Sequence, residues 1–305
     1  MDNLKKDSAN LSMNDIRQDQ TYAFYLSRLG WKIKKQKNVY YFIRKILPFL
    51  QITKVQRPET LDTSFLKKII LEEKITITIV EPKDERQAEI LKKLNFRQIK
   101  PYLPSKTLVI DLSQKLETIL KKTKKDCRLS IKKTKSIKIK KCQRKDLAEL
   151  YSLWKKSVGF KRYVPPFNQI KNLSQIFKEN ALFLLYKDNQ GAASGAIFLK
   201  NKWNAYYWQA FTNKKAREKL IQYQIVWQGV LWAKKNKCLN FDFEGVFDPR
   251  FPDKKWLGFS HFKKSFGGEE VTYPGAFFKI NLNFWRAKNF EFAIFTKKAS
   301  GTLKI

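Results

Sequence analysis

Ala181-Leu-Phe-Leu-Leu-Tyr-Lys-Asp-Asn-Gln-Gly-Ala-Ala-Ser-Gly-Ala-Ile-Phe-Leu199 is the stretch that decides the fold. Two apolar runs flank the polar turn at 188–191, which predicts a β-hairpin. Residues 203–211, rich in Trp, Tyr and Phe, add a third strand after a second polar turn. Residues 214–235 then place Leu220, Tyr223, Val226, Trp227, Val230 and Leu231 on one face, which predicts a single long helix. The next strand covers 238–243. A loop with Pro249, Pro252 and Gly258 precedes a short helix at 259–265, and 270–280 reads as a closing strand.

Upstream the signals are weaker but similar in kind. Residues 14–29 form an amphipathic pattern ended by Gly30, followed by strands at 39–46 and 52–55, a helix at 66–73 and a strand at 75–80. A helix at 85–94 leads to an apolar strand at 106–112. A strand at 137–142 and helices at 145–156 and 167–177 then reach the opening hairpin. Meander, long helix, strand, short helix and strand is the order of the GNAT acyltransferase fold, and the first half resembles a weaker copy. The expected class is α/β, with two tandem GNAT-like domains. Residues 1–135 form the first and end in a basic helix, 136–281 form the second, and 282–305 form a helical tail packing back on the first.

The chain has 305 residues, 43% of them hydrophobic, which is enough for two packed cores and excludes global disorder. No apolar run reaches the ~20 residues of a membrane span. The polar opening residues lack a secretory signal, so a cytosolic protein is expected, with peripheral contact at an anionic inner membrane face allowed by its charge. Three scattered cysteines and one histidine, His261, give no metal-ligand spacing. A mechanism built on His261 competes with a solvated histidine beside a basic loop.

Lys and Arg number 63 against 27 Asp and Glu, a formal charge of +36. Lysines make up 51 of those 63, so part of the excess is compositional bias. Residues 115–145 hold 14 basic side chains and two acidic ones, a net of +12 in 31 positions. Leu116, Ile119, Leu120, Cys127 and Ile131 recur there at helical intervals. The stripe is read either as a solvated basic helix or as a surface for a nucleic-acid backbone. Sparse arginines and aromatics argue against base readout.

A GNAT enzyme that uses acyl-CoA needs a glycine-rich turn where its long helix begins, because backbone N–H groups must approach the pyrophosphate. Phe211-Thr-Asn-Lys-Lys-Ala-Arg-Glu-Lys-Leu220 contains no glycine. Downstream stand Phe241-Asp-Phe-Glu-Gly-Val246, Leu257-Gly-Phe-Ser-His-Phe-Lys-Lys-Ser-Phe-Gly-Gly268 and Val271-Thr-Tyr-Pro-Gly275. These resemble, in order, the Asp-Phe-x-Gly-Val, Phe-Lys-x-x-Phe-Gly-Gly and Tyr-x-Gly segments of the Fem aminoacyltransferases. Lys106-Thr-Leu-Val-Ile-Asp-Leu112, Arg128-Leu-Ser-Ile-Lys-Lys133, Ala205-Tyr-Tyr-Trp-Gln-Ala210 and residues 223–233 extend the resemblance upstream.

The resemblance implies an aminoacyl-tRNA donor, no cofactor, and as acceptor an amine on the stem peptide of a lipid-linked or nucleotide-linked peptidoglycan precursor. It places Lys263 in the role of stabilising the tetrahedral oxyanion, with Phe262 shaping its pocket. Asp242 either binds the incoming amine or caps the following loop. Tyr207 resembles a substrate-facing tyrosine, with Tyr206 on the opposite face of the strand. The family's Tyr-x-Pro-Arg-Gly-Pro segment survives only as Thr53-Lys-Val-Gln-Arg-Pro58, leaving Arg57 and Arg162 as partners for precursor phosphates or carboxylates. Lys121, Lys125, Arg128, Lys132 and Lys133 are the expected tRNA contacts. Two other readings compete: an acyl-CoA N-acyltransferase, and a non-catalytic protein that binds RNA or an anionic surface on a transferase scaffold.

Overall fold

The computed structural model describes residues 14–160 and 162–281. A 3₁₀ turn at Ile16–Gln18 leads into α1 (Gln20–Arg28), capped by the Asp19 carboxylate on Thr21 N. Strands β1 (Lys32–Gln36), β2 (Val39–Leu47) and β3 (Leu50–Gln56) follow as an antiparallel meander. Helix α2 (Thr63–Glu72) is capped by Asp62, then β4 (Ile77–Glu81) pairs parallel to β3. Helix α3 (Glu85–Lys93) is capped by Asp84 and precedes β5 (Arg97–Ile99) and β6 (Lys106–Asp111). Two short helices, α4 (Leu116–Lys122) and α5 (Lys125–Lys133), replace the single basic helix expected from the sequence. Lys124 N donates to Ser265 O at the break, which fixes the bend to the C-terminal motif.

After the two-residue β7 (Lys140–Lys141) come α6 (Leu147–Val158) and α7 (Phe167–Phe177), then the hairpin β8 (Ala181–Lys187) and β9 (Ala193–Lys200), and β10 (Asn204–Thr212). The expected long helix is interrupted. α8 (Lys214–Glu218) is capped by Asn213, Leu220 turns left-handed at φ 58°, and α9 (Ile221–Lys235) continues. The chain then forms β11 (Asn240–Asp242), α10 (Leu257–Lys264), β12 (Glu269–Thr272) and β13 (Ala276–Ile280).

Two mixed sheets result, ordered β1-β2-β3-β4-β13-β5 and β12-β6-β11-β10-β9-β8-β7. A boundary at residue 135 separates neither of them. β6 from the first half joins the second sheet between β11 and β12, and β13 from the second half joins the first sheet between β4 and β5. The single closing strand expected at 270–280 is two strands in different sheets, divided at Tyr273-Pro274-Gly275. Gly275 has φ 101°, and a Cβ there would lie 2.7 Å from the Phe251 ring, so the crossover requires glycine. The tail at 282–305 lies outside the described residues.

Alternation along the strands explains the layers. Tyr40 and Phe42 of β2 pack with Phe183, Leu185, Ile197 and Leu199 of the second sheet and with α1, α6 and α7. Val39, Tyr41 and Ile43 face α2 and α3 instead. The second sheet sends Leu182, Leu184, Ala196 and Phe198 to a third core under α4, α5 and α9. Its central strands are buried on both faces, which is why they read as unbroken apolar runs.

Candidate active site

The site forms where β11 ends. β10 pairs with β11 only over Asn204–Tyr206 and bulges between Tyr207 and Gln209. β11 stops at Asp242 while β10 runs on to Thr212, so a notch opens between them. The turn after Asp242 is fastened to β6: Phe243 N donates to Leu108 O, Val246 N to Lys106 O, and Gly245 N to Thr107 Oγ1. Glu244 (φ 54°) and Gly245 (φ 109°) both adopt left-handed backbone, and a Cβ on Gly245 would lie 2.6 Å from the Trp256 ring. This turns the Glu244 and Gly245 carbonyls toward α10.

Lys263 occupies that space. Its Nζ donates to Gly245 O at 2.7 Å and Glu244 O at 3.5 Å, and lies 5.7 Å from the ring centroids of both Tyr207 and Trp256. The residue is 8% exposed. Burial pulls its pKa down from 10.5 to about 8, opposed by the charges of Glu244 and Asp242. Phe262 points away, into a ring cluster with Tyr223 (4.9 Å) and Phe266 (5.3 Å). Tyr207 Oη accepts from Gln222 Nε2 at 2.6 Å, and Gln222 is held in turn by Ser194. Arg162 donates to Ala210 O on the part of β10 that has lost β11 as a neighbour, and its Nε is buried without a partner among the described residues.

Asp242 sits on the other face of the second sheet, in register with Tyr206. Its Oδ1 accepts from Thr107 Oγ1 at 2.6 Å and Glu244 N at 2.7 Å, so it does cap the loop. Asp242 lines a cleft of about 600 Å³ between the two halves of the chain. Burial, then the neighbouring Glu244 charge, raises its pKa from 3.8 to about 6. Five carboxylates line the cleft (Asp15, Glu59, Asp111, Asp242 and Glu269) against three cations, Arg57, Lys83 and Lys122. In a chain with 63 basic and 27 acidic residues, this cleft is an acidic island.

The structure thus brings Asp242, Arg57 and Tyr206 to one cleft and puts Lys263, Tyr207 and Arg162 on the notch side of the same strand ends. The tyrosine on the cleft is Tyr206, whose Oη accepts from Ile16 N at 3.1 Å, while Tyr207 faces the helices. Arg57 is already engaged: it pairs with Asp15 (2.9 Å), donates to Pro104 O (2.6 Å) and lies 3.6 Å over the Tyr273 ring. Arg128 is removed from the set of free RNA contacts, because its guanidinium closes the end of α4 by donating to the Lys121 and Thr123 carbonyls. Lys121, Lys125, Lys132 and Lys133 are exposed, and His261 is solvated.

Sequence reading missed Asp15 and Arg17 altogether. Arg17 is buried, forms a two-pronged pair with Glu244 (2.5 and 3.2 Å) and bonds Asp15 at 3.0 Å. No motif signals this pair. The one clue in the sequence is an Asp-Ile-Arg triplet immediately before a helix cap.

The FemAB family model matches residues 167–290. The fold is similar to the crystal structure of FemX at a TM-score of 0.74 and 15% identity, covering 88% of this chain and 92% of that one. L-PGS from Bacillus licheniformis matches at 0.57 with 12% identity over 88% and 92%. A tandem GNAT protein from the clavulanic acid biosynthesis pathway matches at 0.50 with 7% identity over 83% and 79%. No curated protein sequence matches. Residues 167–290, which include β10, the Asp242 turn and Lys263, match the FemAB family model, and the described part of the chain has a two-sheet α/β fold similar to that of FemX.

Proposed function

We propose that the protein is an aminoacyltransferase, moving an amino acid from aminoacyl-tRNA to an amine on the stem peptide of a peptidoglycan precursor. The observation that carries this reading is the buried Asp242 carboxylate, which lines an acidic cleft while its Oδ1 holds the loop. An ammonium group entering the cleft meets that carboxylate, and a carboxylate with a pKa near 6 can accept its proton close to neutrality. The freed amine attacks the aminoacyl ester carbonyl, presented from the notch, and a C–N bond forms. The oxyanion that develops is stabilised by the Lys263 ammonium, which burial makes electrostatically stronger than it would be in water. As the intermediate collapses, the ester C–O bond breaks, and the proton lost from the attacking nitrogen passes to the leaving tRNA ribose oxygen. An ester is already activated, so positioning and charge stabilisation meet the demand without a covalent nucleophile.

The helix start at the position of an acyl-CoA site supports this reading over a CoA-dependent one. Asn213 fills the turn with its side chain on Ala216 N, and Leu220 supplies the left-handed residue in place of a glycine loop. Incubation with charged bulk tRNA and lipid-linked or nucleotide-linked precursors, followed by mass analysis, should give acceptor enlarged by one aminoacyl residue. Acylation from a CoA thioester, with none from charged tRNA, would overturn the assignment.

A further inference from the structure

A single hydroxyl, that of Thr107, touches both halves of the site. Thr107 lies on β6, the strand that the first half of the chain inserts between β11 and β12, and it is buried. Val109 stands opposite Asp242 in the β6–β11 register, and Thr107, two residues along, shares that face of the sheet. Its side chain therefore reaches past the end of β11, where the chain leaves the sheet. Oγ1 lies 2.6 Å from Asp242 Oδ1 and 3.0 Å from Gly245 N.

The direction of both bonds is fixed. Gly245 N can only donate, so it occupies a lone pair of Oγ1, and an ionised carboxylate can only accept, so the one hydroxyl proton goes to Asp242. With Glu244 N at 2.7 Å, Oδ1 receives donors from two different elements, which restrains rotation of the carboxylate. Gly245 is also held twice, at its N–H by Thr107 and at its carbonyl by the Lys263 ammonium. The titratable groups around Asp242 are Glu244 in the turn, Arg57 just after β3, Asp15 ahead of α1, Tyr206 on β10, Tyr273 at the crossover and Lys263 on α10. Burial, then the Glu244 charge, pushes the Asp242 pKa up to about 6, and the Thr107 bond is the largest influence in the other direction, ahead of the Arg57 charge and the Glu244 N–H bond.

We propose that Thr107 is a positioning residue for aminoacyl transfer, orienting the Asp242 carboxylate as proton acceptor and fixing it relative to Lys263. The proposal rests on the transfer reading, but its test begins without substrate. Carboxyl carbon NMR of the full chain labelled at aspartate follows the Asp242 titration, with the signal identified by its loss in Asp242→Asn. Thr107→Val keeps the shape and removes the hydroxyl, and it should raise the midpoint from about 6 by about one pH unit or more. Thr107→Ala should do the same, and Thr107→Ser, which keeps the hydroxyl, should titrate within about 0.3 of wild type. The acid limb of the transfer rate should move with the midpoint in Thr107→Val, lowering transfer at about pH 6.5 by about threefold or more, and should return in Thr107→Ser. An unmoved midpoint in Thr107→Val or Thr107→Ala would overturn the proposal. A serine variant that titrates like the valine variant would also overturn it, since the methyl packing would then matter in place of the hydroxyl. A shifted midpoint in a protein that never transfers from charged tRNA would refute the transfer reading and leave the orientation of Asp242 by Thr107 upheld.

Discussion

Replacing Asp242 with asparagine should make the protein more stable and nearly inactive. The carboxylate is buried, lies beside Glu244, and has a pKa raised from 3.8 to about 6. A tenfold change in proton affinity corresponds to about 1.4 kcal/mol, so holding this group ionised at pH 7 costs the fold roughly 3 kcal/mol. The sign follows from the direction in which the pKa moves. A carboxylate that binds its proton more tightly when folded loses stability as pH rises from its unfolded value through its folded one. Below about pH 4 both states are protonated and the penalty falls to well under 1 kcal/mol. Asparagine keeps the acceptor for Thr107 Oγ1 and Glu244 N, and its amide nitrogen takes the place of Oδ2. The variant should therefore gain between 1 and about 3 kcal/mol at pH 7 by urea unfolding, and the gain should shrink toward zero at pH 4. Transfer should fall by about 10² to 10⁴, the usual contribution of a positioned base. A variant less stable than the wild type at pH 7, or one as active, would refute the reasoning: the first outcome would make the carboxylate a structural cap, the second a bystander.

The same two groups set the pH dependence. Transfer needs Asp242 ionised and Lys263 protonated, so the rate should fall below about pH 6 and above about pH 8, and Asp242→Asn should abolish the acid limb. Lys263→Met should lower kcat by about 10² to 10³ with tRNA affinity within about twofold of wild type by filter binding; a larger loss of affinity with kcat intact would move Lys263 to a binding role. Reversing the exposed Lys121, Lys125, Lys132 and Lys133 to Glu should weaken tRNA binding and reduce the slope of log affinity against log salt by about 0.7 to 0.9 for each phosphate no longer neutralised, and an unchanged slope would return α4 and α5 to a solvated role. Gly268→Ala places a Cβ 2.7 Å from Val109 O at φ 97°, so thermal unfolding should show a loss of about 2 kcal/mol or more; a neutral effect would mean that the cleft floor yields.

Local chemistry made the second half legible. Turn residues at 188–191 and unbroken apolar runs predicted β8 to β10, and the motif residues around 241–246 and 257–268 lie at the candidate site. The basic stripe's apolar spacing survived a break it did not announce, since Ile119, Cys127 and Ile131 still face one core across the α4–α5 bend. What a strand pairs with is not written in its own residues. β6 and β13 each carry ordinary apolar patterns, and nothing in either encodes that they trade sheets. Arg17 was hidden for the opposite reason: a buried arginine and a solvated one look alike in sequence until a partner as distant as Glu244 is known.

The traded strands and that hidden arginine explain why the site can be precise. Asp242 and the turn that holds Lys263 are pinned to β6, and Tyr273, which stacks on Arg57, lies at the crossover into β13. Between the sheets, residues 14–18 act as a clamp. Asn14 O accepts from Asn201, Ile16 N donates to Tyr206, Gln18 bonds Tyr40 N and Gln56 O, Asp15 pairs with Arg57, and Arg17 pairs with Glu244. The two sheets therefore cannot hinge apart without breaking strand pairings and a buried ion network, and leaving any one of those charges unpaired is costly. Under the proposed function, selection of the acceptor would come from the fixed charges of the cleft more than from closure of one half on the other. On the proposed mechanism, Arg17, far in sequence from the motif residues, is a positioning residue: it anchors Glu244, and the Glu244 and Gly245 carbonyls hold the Lys263 ammonium where the oxyanion would form.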